Sequence, residues 1–200
     1  ADSRARTAVV HARFAATLLE AAALAGHSFD LVLVVDDDSG APPPAGTLDY
    51  EATLASIDPA GLAAVASPDD LYIVYTGGTT GRSRGAMLSH ANFLNLVQTG
   101  NEAEKPEWNK WSTDDVSLVA MPIFHIGGSG WGVMGLYHGA RGVIAREFDP
   151  TKVLDFFEQS GITKLFMVPA AMQFVVRQPR AREVDFSRLK YMLYGASPIP

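Results

Sequence analysis

The chain has 200 residues, 48% of them hydrophobic, which is ordinary for a globular protein and enough to enclose a core in one domain or one and a half. Twenty-two Asp and Glu against 16 Lys and Arg give a net charge of −6, which argues against the basic face of a general nucleic-acid binder. The absence of cysteine excludes disulfides and thiolate metal sites, and apolar runs such as Leu31 to Val35 are far too short to span a bilayer.

The first residues, "ADSRARTAVV", hold no signal-peptide pattern. "TAVVH" predicts a short strand, and "ARFAATLLEAAALAG" a helix with apolar residues at helical spacing, stopped by Gly26. "FDLVLVVDDD" predicts a buried parallel strand, and the acidic triplet Asp36 to Asp38 its solvated end. "SGAPPPAG" is a surface loop, and "LDYEATLAS" a short helix. "DPAGLAAVASPDD" leads into the apolar run Leu71 to Tyr75, a buried strand. A ten-residue loop, Thr76 to Gly85, follows and opens on an apolar stub at Met87 and Leu88; Ser89 then caps a helix over "HANFLNLVQ". "NEAEKPEWNKWSTDD" is polar and irregular, with Trp108 and Trp111 packed in it. "VSLVAMPIFH" predicts a strand ending at Pro122 or just beyond, and "GGSGWGVMGLYHG" a glycine-rich helix pressed closely against a neighbour. "ARGVIAR" is a strand. In "DPTKVLDFFEQSG" Asp149 caps a helix, Pro150 takes its first position and Gly161 ends it. "ITKLFMVP" is a strand, "AAMQFVVRQ" a helix, and "LKYMLYGASP" a last strand running into a turn.

Strands and helices alternate almost throughout, which predicts an α/β fold of layered, mostly parallel sheets flanked by helices. In such sheets ligands bind beyond the carboxyl ends of strands. Three polar segments follow predicted strands: the loop after Tyr75, "FHIGG" after Met121, and "GASP" after Tyr194. We expect them to border one cleft.

The ten-residue loop holds four glycines, three threonines and two arginines. Glycines let backbone N–H groups approach a ligand, Thr hydroxyls add donors, and Arg82 and Arg84 add fixed charge. Composition alone fits a phosphate cradle and a plain surface turn equally well. The pattern G-x-x-x-x-G-K-[ST] is absent, and adjacent Gly77 and Gly78 break the dinucleotide pattern G-x-G-x-x-G.

"YTGGTTGRSRGAMLSH" strongly resembles the phosphate-binding signature of acyl-adenylate-forming enzymes: acyl-CoA synthetases, nonribosomal peptide adenylation domains and beetle luciferases. "MPIFHIGG" and "YGASPIP" resemble two later motifs of that family in the same order. The resemblance covers nearly the whole chain and is most like an acyl-CoA synthetase. It implies that residues 1–200 are part of the family's large N-terminal AMP-binding domain. Thr76, Gly77, Gly78, Thr79, Thr80, Gly81 and Arg84 would hold the β- and γ-phosphates of ATP, and Thr80 is a candidate toward Mg²⁺. His125 would lie beside the acyl carboxylate and the thiol entry, while Gly195, Ala196, Ser197 and Pro198 would line adenine and acyl group. Trp131 and Met134 are either core residues or lining of an acyl pocket. Three positions depart from the usual motif: Gly77 stands for Ser, Ser83 for Pro and Arg84 for Lys.

The implied activity is activation of a carboxylic acid, a medium- or long-chain fatty acid before an aromatic one, by ATP and Mg²⁺, then transfer to CoA. The partners expected are these small molecules, with no nucleic acid and no transmembrane segment, and the location expected is cytoplasmic. The missing initiator Met and the abrupt end on "YGASPIP" suggest a fragment, inactive alone. Two alternatives stay open: an adenylation domain that loads a carrier-protein thiol, and a non-catalytic truncated nucleotide-binding module. His11, His27, His90 and His138 show no metal-ligand spacing. Ser129, in "GGSGWG", follows its neighbouring His instead of preceding it, which argues against a serine hydrolase.

Overall fold

The computed structural model describes residues 3–58, 71–77, 81, 83–98 and 105–199. The chain divides into two compact units, residues 1–66 and 67–200. The predicted segment 58–70 lies almost wholly outside the described residues.

In the first unit β1 (Thr7–His11), β2 (Leu31–Val35) and β3 (Leu48–Asp49) form a parallel sheet in that order. Helix α1 (Ala12–Leu24) packs Ala12 and Ala15 on Val34, and Gly26 ends it at φ 61°. The strand end after β2 differs from expectation. Asp36 and Asp38 are exposed, but Asp37 is buried. Its carboxylate accepts from Arg13 Nε and from the backbone N–H groups of Arg13 and Ser39. Bonds from Ser39 and Arg13 outweigh the cost of burial and hold this carboxyl well below its ordinary value. Asp37 therefore caps the first turn of α1 from another element. Helix α2 (Tyr50–Ser56) starts at Asp49, whose Oδ1 accepts from the Ala52 N–H at 2.7 Å.

The second unit opens with a hairpin. β4 (Leu71–Thr76) pairs antiparallel with β5 (Arg84–Ser89), in register from Leu71 opposite Ser89 to Thr76 opposite Arg84. The apolar stub of the sequence is thus a full strand, and this sheet departs from the parallel expectation. Helix α3 (His90–Gln98) begins with a reciprocal cap: the Ser89 hydroxyl accepts from the Asn92 N–H, and Asn92 Oδ1 accepts from the Ser89 N–H.

Four parallel strands follow in the spatial order β7 (Arg141–Ile144), β6 (Val116–Val119), β8 (Lys164–Met167), β9 (Tyr191–Tyr194). Helices cover both faces. Val116 and Leu118 join the core built with Val153, Leu154 and Phe157 of α5 (Pro150–Ser160) and Ala171 and Val175 of α6 (Pro169–Val176). On the other face Ser117 and Val119 meet Gly135 and Gly132 of α4 (Ile126–Tyr137). Asp149 and Gly161 bound α5 as the sequence predicts, the first accepting from Thr151 and Lys152 N–H groups, the second at φ 63°.

The amino edge of this sheet is fastened by a buried polar cluster that sequence reading passed over. Asp115 Oδ1 accepts from Lys190 Nζ at 2.8 Å and from Thr163 Oγ1 at 3.0 Å, while its Oδ2 accepts from the Ser112 N–H. Lys164, 1% exposed, lies 3.5 Å from the same carboxylate, donates to the Lys110 carbonyl, and sits 4.4 Å over the Trp111 ring. Burial pushes Asp115 up, but the bonds from Lys190, Ser112 and Thr163 and the charge of Lys164 win and hold it below its ordinary value. Burial wins for Lys164, which is pushed down against the pull of Asp115.

Candidate active site

The opposite, carboxyl edge carries two of the three predicted segments. β6 ends at Val119, three residues before Pro122, and the chain runs irregularly to His125, the N-cap of α4. The reason is a close approach. A Cβ on Gly128 would lie 2.2 Å from the Pro122 carbonyl and 2.4 Å from that of Met121, so glycine alone lets the first turn of α4 rest on this backbone. That is the close packing expected of the glycine-rich helix.

His125 is exposed, and its Nδ1 accepts from the Gly127 N–H at 3.1 Å. The neutral imidazole therefore carries its proton on Nε2, which presents a donor at the positive end of a twelve-residue helix. Ser129 donates its hydroxyl to the His125 carbonyl at 3.1 Å, so it is engaged with backbone and not with the imidazole.

The segment after β9 lies close by, joined through one ring. Phe166 of β8 stands 3.1 Å from where a Cβ of Gly127 would be and 3.3 Å from that of Gly195. Both glycines leave room for the ring, which joins the start of α4 to the start of the Gly195–Pro198 turn. Gly195 is half-buried; Ala196, Ser197 and Pro198 are exposed. Ala196 takes φ 71°, a left-handed conformation that a non-glycine residue adopts at a cost on the order of 1 kcal/mol.

The third segment is the hairpin tip. Thr76, Gly77, Gly81 and Arg84 are exposed, and Gly81 has φ 86°. Thr76 Oγ1 and the Arg84 carbonyl are 3.4 Å apart across the mouth. Among the described residues the Arg84 guanidinium forms no ion pair. Gly78, Thr79, Thr80 and Arg82 lie outside the described residues. Strand β4 is tied to the approach to His125, because the Tyr72 hydroxyl donates to the Ile123 carbonyl at 3.1 Å.

The two acyl-pocket candidates sit differently. Trp131 is 6% exposed, donates its indole N–H to the Leu118 carbonyl, and packs on Trp111 and Phe166 at 5.0 and 6.3 Å between centroids. Met134 is half-buried, and its carbonyl bonds the His138 ring at 2.9 Å. Among the described residues no group of three or more His, Asp or Glu could hold a metal ion.

The sequence profile of AMP-binding enzymes matches residues 1–200. The chain is 36% identical over 159 residues to a feruloyl-CoA synthase of an Amycolatopsis species, covering 78% of this chain and 30% of that protein. It is 33% identical over 126 residues to the fatty acid–[acyl-carrier-protein] ligase ScoC of Streptomyces coeruleorubidus, covering 63% and 24%. The crystal structure of ATP-bound MatB from Rhodopseudomonas palustris superposes with a TM-score of 0.72 at 26% identity, over 99% of this chain and 36% of that one. The chain thus spans about a quarter to a third of the length of these proteins.

Proposed function

The chain belongs to the AMP-binding enzyme family, and from that premise we propose that the whole protein is an acid–thiol ligase. It activates an apolar carboxylic acid with ATP and passes the acyl group to CoA. The carboxylate attacks the α-phosphate, forming acyl-adenylate and releasing pyrophosphate; the CoA thiol then displaces AMP. Backbone N–H groups of residues 76–81 and the Arg84 guanidinium receive the β- and γ-phosphates, an electrostatic task in an otherwise acidic chain. Mg²⁺ travels with those phosphates, with Thr80 its candidate hydroxyl. The Gly195–Pro198 turn borders adenine. His125 orients the acid carboxylate through Nε2–H and stands beside the thiol entry.

The observation that carries this reading is the His125 cap: an oriented donor at a helix N-terminus, one aromatic ring away from the Gly195 turn. The acid is a fatty acid or an aromatic acid; the similarity to ScoC supports the first and that to the feruloyl-CoA synthase the second. With ATP and CoA as the proposed substrates, the cytoplasm is the proposed location and small molecules are the proposed partners. No helix among the described residues is long and apolar enough to cross a membrane.

ScoC also favours a second reading, in which the acceptor is a carrier-protein thiol. The whole protein, given ATP, Mg²⁺ and an apolar acid, is expected to convert free CoA to acyl-CoA in a chromatographic assay. Acylation of a phosphopantetheinyl carrier protein with free CoA untouched would assign the second reading instead.

A further inference from the structure

The face of the four-stranded sheet turned away from α4 holds an apolar cavity of about 170 Å³. Strand register sets its place. Leu165 and Met167 of β8 belong to the core built with α5 and α6, and their partners in β9, Met192 and Tyr194, lie on the same face. Met167, Met172 and Met192 meet Phe157, Phe186 and Leu189 around the space. The inner wall is firm: Met167 and Phe157 are buried, and Phe157 meets Phe186 edge-on at 4.8 Å. The outer wall is Val176 of α6 and Met192, both exposed. All the described side chains around the cavity are apolar.

We propose that this cavity is a binding site for an uncharged molecule of one aromatic ring, and that its occupancy acts on the Gly195–Pro198 turn. Size sets the first part, since a dry apolar cavity of about 150 Å³ accommodates benzene. The lining sets the chemistry. Three thioethers adapt in shape, and their sulfurs meet aromatic rings favourably. A carboxylate placed here would be buried without a partner. The ligand is therefore not the acid that the protein is proposed to activate. Position sets the consequence. Met192 precedes Gly195 by three residues, and Met167 is paired in register with Tyr194, the last residue of β9. A ring seated between α6 and β9 bears on the base of the turn that borders adenine in the proposed function. That consequence rests on the acid-activating reading above; the binding does not.

The test titrates toluene into the whole protein, with its methionine methyl groups isotope-labelled for NMR and no ATP present. The Met167, Met172 and Met192 methyl resonances are expected to shift together and to saturate, whereas benzoate leaves them in place. Val176→Trp fills the cavity from a position 65% exposed, where the fold tolerates a larger side chain. Toluene affinity is then expected to fall about tenfold or more. Met172→Ala widens the cavity, and the two remaining methyls are expected to respond to naphthalene. Thermal unfolding of each variant checks that it is folded. Saturating toluene is expected to shift the Kd for ATP about fivefold in the wild type and to leave it unchanged in Val176→Trp. Toluene that leaves the three methyls unmoved, or that binds Val176→Trp as tightly as the wild type, overturns the site. Benzoate that shifts them as toluene does overturns the assigned ligand chemistry. Toluene binding with ATP affinity unchanged overturns the action on the turn. A protein that binds toluene here but neither binds nor uses ATP keeps the site and sinks the functional reading instead.

Discussion

Asp115→Ala is expected to destabilise the protein by about 3–5 kcal/mol, the usual cost of removing one member of a buried ion pair. Asp115 and Lys164 are 2% and 1% exposed, and the carboxylate ties together the starts of β6, β8 and β9 by accepting from Thr163 and Lys190. Its loss leaves the Lys164 ammonium buried with the Lys110 carbonyl and the Trp111 ring as partners. Lys164 is already less basic than an ordinary lysine. A lysine depressed in the folded state binds its proton better when unfolded, so between its folded and unfolded pKa values stability rises with pH. The penalty in Asp115→Ala should therefore be greatest near neutral pH and shrink as pH approaches the ordinary lysine value. Asp115 has the opposite pH window in the wild type: its carboxyl is held low, so its contribution is present above the ordinary Asp value and is lost on acidification through the folded one. Urea unfolding across pH decides the matter, and adding Lys164→Met to Asp115→Ala should restore much of the loss. A single variant as stable as wild type at neutral pH would mean that the cluster is idle.

Arg84→Ala in the whole protein is expected to weaken ATP use far more than acid use. Arg84 opens β5 directly opposite Thr76, at the mouth of the glycine-rich tip, exposed and unengaged by any ion pair among the described residues. A charge-assisted hydrogen bond contributes roughly 1.5–3 kcal/mol, which is about one to two decades in binding or rate. A uniform contact shows in the KM for ATP; one that tightens as pyrophosphate leaves shows in kcat as well. Arg84→Lys should recover most of the loss, since the charge remains although the planar fork does not. Arg82→Ala is the control, at a variable position of the motif. Equal, small losses in Arg84→Ala and Arg82→Ala would make both arginines surface charges and leave the phosphates to the backbone.

Local chemistry made much of this fold legible. α5 could be read complete because Asp149, Pro150 and Gly161 each act within one turn. β5 could not: "RGAMLS" has no strong strand pattern, and it is a strand because β4 lies beside it. The early end of β6 depends on Gly128 meeting the Met121 and Pro122 carbonyls, a contact invisible in a run that reads as apolar to Phe124. Asp37 looked like one of three solvated acids, and only the return of the chain over Arg13 buries it. At the candidate site the motif residues were legible by resemblance, whereas the joining ring, Phe166, lies in no motif.

Under the proposed function, the whole protein couples an acid to ATP through an adenylate. Exchange of labelled pyrophosphate into ATP by the whole protein, with Mg²⁺ and no CoA, isolates that step from every question about the thiol acceptor. Exchange is expected to depend on an added apolar acid and to collapse in Arg84→Ala. ATP binding without acid-dependent exchange, across short, medium, long and aromatic acids, would contradict it and leave a nucleotide-binding module in its place.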